Sequence, residues 1–166
     1  MQLEQESHLD KNNRGMLSLN LPIYKPRVSN HEGKIFIFDP IRKKEVRLTQ
    51  EEWVRQHFVN YLMQDKGYPS ARIANEVCIQ LHGLQKRCDT VIYNEFIEPL
   101  MIVEYKAPSV PVTQTVFDQI ARYNMKLRVS YLIVSNGLEH FCCKIDSERE
   151  SYMFLQEVPD YSEISL

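Results

Sequence analysis

Leu100-Met101-Ile102-Val103-Glu104-Tyr105-Lys106 is an apolar run closed by an acid and a base two positions apart. Its length and composition predict a buried β-strand, along which side chains alternate between faces. Glu104 and Lys106 therefore project from one face, with the peptide between them close by. A carboxylate and an ammonium at the end of a buried strand are costly unless something uses them. A strand that simply reaches solvent with an ordinary Glu/Lys pair has the same pattern.

The next acid back along the chain sharpens the reading. Arg87-Cys88-Asp89-Thr90-Val91-Ile92-Tyr93 reads as a second strand, separated from the first by Asn94-Glu95-Phe96-Ile97-Glu98-Pro99. A connection that short predicts an antiparallel hairpin. With the turn centred between Phe96 and Ile97, Asn94 faces Pro99, Tyr93 faces Leu100, Val91 faces Ile102 and Asp89 faces Glu104. Opposed residues have β-carbons about 4.5–5.5 Å apart, so two carboxylates there repel unless a cation lies between them. A Mg²⁺ ion, with oxygen bonds of about 2.0–2.1 Å, fits that gap. A one-residue slip would separate the acids onto opposite faces.

An acid followed by acid-x-lysine on a neighbouring strand resembles the PD-(D/E)XK nuclease superfamily, with Asp89 as the first acid and Glu104-Tyr105-Lys106 as the E-x-K element. More closely, the chain resembles the N-terminal nuclease domain of type I restriction enzyme R subunits. The resemblance runs from about Thr49 to Ile145. Its stretches are Glu51-Glu52-Trp53-Val54-Arg55-Gln56, Lys86-Arg87-Cys88-Asp89, Val103-Glu104-Tyr105-Lys106-Ala107-Pro108, Asp118-Gln119-Ile120-Ala121-Arg122-Tyr123-Asn124 and Val134-Ser135-Asn136-Gly137. Ser135 departs mildly, standing where Thr is expected.

The resemblance implies Mg²⁺- or Mn²⁺-dependent hydrolysis of DNA phosphodiesters. Asp89, Glu104 and Lys106 are the expected catalytic set. Metal ligands would be Asp89, Glu104 and the Tyr105 carbonyl, with Glu52 as a further metal or water ligand. Glu52 also completes Thr49-x-x-Glu52, a capping-box pattern, so helix capping is an equal alternative for it. Gln119 and Tyr123, four apart on one helix face, are implied to contact DNA or the lysine; packing against the sheet is the plainer alternative. Glu76 could approach the metal or face solvent. A noncatalytic DNA-binding or assembly module that keeps the nuclease fold is the competing functional reading.

Around this centre the chain reads as an α/β protein with a restriction-endonuclease-like mixed β-sheet flanked by helices. The core order is αβββαβ, with extra strands at both ends. Residues 1–15 are polar and aperiodic and predict disorder. Residues 16–48 form an extension with a hairpin of Lys34–Asp39 and Glu45–Leu48. Residues 49–156 form the nuclease-like core, and 157–166 a tail. Helices are expected from Thr49 to about Gln64 and from about Thr113 to Lys126. Further strands are expected at Ile73–Leu81, Val129–Val134, Glu139–Ile145 and Tyr152–Gln156.

At 166 residues the chain suits one domain. Its 43% hydrophobic and 25% charged residues are ordinary for a globular protein. The start has neither a basic region nor an apolar core, and no apolar run is long enough for a membrane, so a cytoplasmic location is expected. Four cysteines without C-x-x-C or Cys/His clusters predict reduced thiols rather than zinc. A net charge of −2 predicts weak general affinity for DNA, helped locally by Arg42-Lys43-Lys44, Lys86-Arg87 and Lys126-Leu127-Arg128. The chain has no G-x-x-x-x-G-K-[ST] loop, so any motor or specificity function is expected on separate subunits and no ATP dependence is expected here. Homodimerisation is a further possible arrangement for cutting two strands.

Overall fold

The computed structural model describes residues 16–165. Its centre is a six-stranded sheet built from β4 (Ile73–Leu81), β5 (Leu84–Tyr93), β6 (Pro99–Tyr105), β7 (Tyr131–Ser135), β8 (His140–Asp146) and β9 (Ser151–Leu155), hydrogen-bonded in that order. All neighbours are antiparallel except β6 and β7, which run parallel. That one parallel step requires a crossover, supplied by α2 (Gln114–Leu127). Helix α1 (Gln50–Asp65) precedes the sheet. The expected α/β architecture is thus present, with one helix associated with each of two apolar cores.

Helix starts follow local chemistry. The Thr49 hydroxyl accepts the Glu52 N–H at 3.0 Å, and the Thr113 hydroxyl accepts the Val116 N–H at 3.2 Å. The expected capping box at Thr49 is only half formed, because the Glu52 side chain turns to arginines instead. Val54, Phe58 and Leu62 of α1 join Ile92, Met101, Val103, Tyr105 and Ile133 in one core. Phe117, Ala121 and Leu127 of α2 join Val91, Ile102, Leu132 and Val134 in the other. Glu52 through Val59 are all buried, so α1 is covered almost all round. Part of that cover is the chain before it: the Trp53 indole N–H donates to the Leu17 carbonyl, and Tyr24 packs edge-on to His57.

The extension is larger than a hairpin. A strand β1 (Val28–His31) pairs with β2 (Lys34–Asp39), which pairs with β3 (Lys44–Arg47). Val28-Ser29-Asn30-His31 has one apolar residue in four, which is why it carries no strand signal of its own. The tail also docks rather than trails. A short helix α3 (Tyr161–Ile164) buries Ile164, Val158 precedes it in the core, and the Tyr161 hydroxyl donates to the Tyr93 carbonyl at 3.0 Å. Residues 1–15 and 166 lie outside the described residues.

One irregularity shapes the site. Glu76 has a left-handed φ of 54°, rare for a side-chain-bearing residue, and the β4–β5 ladder pairs Asn75 with Thr90 and Val77 with Cys88 around it. Strand faces change there. Before Glu76, Ile73 belongs to the α1-side core, as does Ile92 of β5. Beyond it, Val77 and Ile79 pack with the α2-side core although their numbers are also odd, and Cys88 joins them. The outer half of this hairpin therefore folds over α2, where the Tyr123 hydroxyl meets the Gln85 carbonyl at 3.2 Å.

Candidate active site

Strands β5 and β6 meet in the register Thr90↔Val103 and Val91↔Ile102, so the next step brings Asp89 opposite Glu104. There the ladder ends, and Asp89 Oδ2 accepts the Tyr105 N–H at 2.9 Å. The side chain thus replaces a backbone rung and fixes its acid beside the peptide of the E-x-K element. At the far end the expected register fails: Tyr93 faces Pro99 rather than Leu100, because a bulge lies between Ile92 and Tyr93. That error is local and leaves the acids in line.

Behind the site, a buried polar chain ties its strands together. Thr90 donates to Asn75 Oδ1 at 2.7 Å and accepts the Tyr105 hydroxyl at 2.9 Å. Asn75 Nδ2 in turn donates to Asp39 Oδ2 at 3.0 Å. Asp39 is wholly buried and also accepts the backbone N–H groups of Ile41 and Arg42. Burial alone would raise its carboxyl, but the bonds from Asn75 and Arg42 hold it below the ordinary range.

Glu104 is largely enclosed, and burial pushes its carboxyl above the usual carboxylate range. Lys86 opposes that shift, Asp89 adds to it, and Lys106 weakly opposes it, so all three charges act on Glu104. The Lys86 ammonium is ion-paired with Glu104 Oε1. Lys106 follows directly; its N–H donates to the Ser135 carbonyl at 2.9 Å, which anchors its backbone to β7.

Arg55 reaches the site from α1. It is 4% exposed, pairs with Glu76, and lies 3.7 Å from Glu52 and 3.8 Å from Asp89. Glu76 is also held by Arg87 at 2.7 Å. Glu52 accepts from Arg42 and, at 2.9 Å, from Gln56 Nε2. Arg55 links it to Asp89, and with Arg42 it places Glu52 in an arginine network. Among the described residues no group of three or more His, Cys, Asp or Glu side chains is placed to hold a metal. The carboxylates the structure brings into line are Asp89 and Glu104, with the Tyr105 N–H on Asp89. Two carboxylates suit a hard ion such as Mg²⁺, which keeps much of its water. Glu104 Oε1 is enclosed and already faces one cation, the Lys86 ammonium.

Gln119 is exposed on α2. Tyr123 contacts a lysine, but that lysine is Lys86, whose ammonium lies 5.2 Å from the ring centroid. Neither Lys86 nor Arg55 was legible as a site residue. Lys86 stands three positions before Asp89, so simple alternation sends it to the other face; only the face change at Glu76 brings it to Glu104. Arg55 lies one helical turn from Glu52, a spacing shared by many solvated pairs. Cys88 is buried with its thiol pushed up to about 12, which leaves it inert, and all four cysteines are free.

A search of curated proteins gives no match. Among solved structures, one similar chain is a fragment provisionally assigned as the HsdR subunit of a type I restriction enzyme from Vibrio vulnificus YJ016. It has 21% identity and a TM-score of 0.49 over 70% of the present chain and 24% of its own. Another is a provisionally assigned nuclease of the DUF820 group from Anabaena variabilis ATCC 29413, with 15% identity and a TM-score of 0.45 over 88% and 89% of the two chains. The present chain thus spans about a quarter of the Vibrio chain. The profile described as type I restriction enzyme R protein N terminus matches residues 50–159, from the first residue of α1 to just beyond β9. By that match the chain belongs to the type I restriction enzyme R protein N-terminal family.

Proposed function

We propose that this protein is a Mg²⁺- or Mn²⁺-dependent deoxyribonuclease of the PD-(D/E)XK type, hydrolysing DNA phosphodiesters. The observation that carries the reading is the end of the β5–β6 ladder. There Asp89 is clamped by the Tyr105 N–H while the enclosed Glu104 carboxylate sits among lysines. Asp89, Glu104 and the Tyr105 carbonyl would hold the ion. When bound, it would supply Lewis-acid polarisation of the phosphate and lower the proton affinity of nearby water. Lys106, anchored through its backbone, neutralises charge developing on the phosphate oxygens. Tyr123 and Gln119 border this face on α2 and guide the DNA strand past it. DNA is the proposed substrate, with motor or specificity functions on separate subunits, homodimerisation where both strands are cut, and a cytoplasmic location. Among the described residues no helix is long and apolar enough to cross a membrane.

One observation favours the noncatalytic alternative: Arg55 and Lys86 already face the site carboxylates. The test is incubation with duplex, branched and single-stranded DNA in Mg²⁺ or Mn²⁺. Cleavage by the wild-type chain that falls at least about 10²-fold in both Asp89→Ala and Lys106→Ala supports the nuclease reading. DNA binding without cleavage by a folded wild-type chain, or full cleavage by Lys106→Ala, overturns it.

A further inference from the structure

We infer that Lys86 is a positioning residue of the metal site: its ammonium holds the place of the ion on Glu104 and is exchanged for it when the ion binds. This rests on the metal-dependent reading above. Lys86 and the ion would need the same atom, since Glu104 Oε1 is enclosed and faces the Lys86 ammonium directly. In the chain as it stands, the two site carboxylates already have cationic partners, Lys86 on Glu104 and Arg55 3.8 Å from Asp89, with Lys106 also acting on Glu104. Adding a divalent ion leaves an excess of positive charge in a poorly solvated space, so one ammonium has to withdraw. Lys86 is the lysine ion-paired with Glu104, so it is the one the ion would displace. Lys86 already has a second partner that the ion would leave in place, because its ammonium lies 5.2 Å from the Tyr123 ring centroid. That ring is itself fixed by the Tyr123 hydroxyl on the Gln85 carbonyl. An aromatic face stabilises a lysine that has given up its carboxylate. Ion binding and the Lys86–Glu104 pair therefore exclude each other, and each weakens the other by the same factor.

The experiment titrates the full chain with Mn²⁺ and reads free ion by electron paramagnetic resonance, for wild type, Lys86→Met, Lys86→Gln and an Asp89→Ala control. Removing the competing ammonium is expected to tighten Mn²⁺ binding about tenfold in both lysine variants, while Asp89→Ala loses it. A lysine with a merely structural role would give the opposite sign or none. Unchanged or weaker Mn²⁺ binding by either folded variant, with a wild type that binds, overturns the exchange and leaves the nuclease reading standing. Mn²⁺ binding absent from wild type and variants alike, or retained in Asp89→Ala, overturns both. Lys86→Gln decides the matter if Lys86→Met does not fold, as judged by near-ultraviolet circular dichroism.

Discussion

Replacing Thr90 with Val changes almost nothing in shape and removes the hydroxyl at the centre of the buried polar chain. Thr90 is fully buried, and its two partners, Asn75 and Tyr105, are nearly so. The substitution leaves Asn75 Oδ1 without its 2.7 Å donor and the Tyr105 hydroxyl without its 2.9 Å acceptor. Each orphaned buried group costs about 1–3 kcal/mol, so Thr90→Val should destabilise by about 3 kcal/mol. Tyr105→Phe is milder, about 1 kcal/mol, because Thr90 still donates to Asn75 and loses only one donor to its oxygen. The double variant orphans one group rather than two, so its loss should fall short of the sum by about 1 kcal/mol. Urea unfolding followed by far-ultraviolet circular dichroism measures all three. With a slope of about 2 kcal/mol per molar urea, Thr90→Val moves the midpoint down by about 1.5 M. The chain also holds the strands of Asp89 and Glu104 from behind, so cleavage should fall in step. Strict additivity, or a Tyr105→Phe costlier than Thr90→Val, would refute this account.

Two further expectations concern stability. Gly137 is buried with φ +84°, and a Cβ there would lie 2.8 Å from Leu19 Cδ2 and 3.0 Å from Val54 Cγ2. Gly137→Ala should therefore cost about 2 kcal/mol or more from strain and overpacking together; a thermal midpoint within a degree of wild type would contradict this. Burial also lowers the proton affinity of His57 and His140. The unfolded chain then binds more protons than the native one below about pH 6.5, so stability is full above that value and declines as pH falls toward the lowered native values. The slope is at most about 1.4 kcal/mol per pH unit for each histidine. Chemical denaturation at pH 7.0, 6.5, 6.0 and 5.5 should show the decline, and His57→Gln should flatten it; a stability constant over that range would show both rings unperturbed.

Strand β6, the hairpin joining it to β5, both long helices and the pairing of Asp89 with Glu104 were open to sequence reasoning, because each follows from local period. The apolar run Leu100–Val103, a short turn, and threonine caps before the two long helices act over a few residues. The strand β1 and the docking of α3 were not legible: Val28–His31 has no apolar pattern, and Ile164 is held by contacts with distant segments. The same limit applies within the site. Asp89 and Glu104 come into line as strand alternation assigns them, with Lys106 immediately beyond the end of β6. Lys86 reaches Glu104 only because a left-handed Glu76 turns the outer hairpin over α2, against that alternation. Arg55 meets Glu76 and Asp89 only once α1 packs on the sheet, bringing together charges that are 21 and 34 positions apart in sequence. Periodicity assigns a side chain to a face, whereas the partner that balances a buried charge is chosen by packing between segments far apart in the chain.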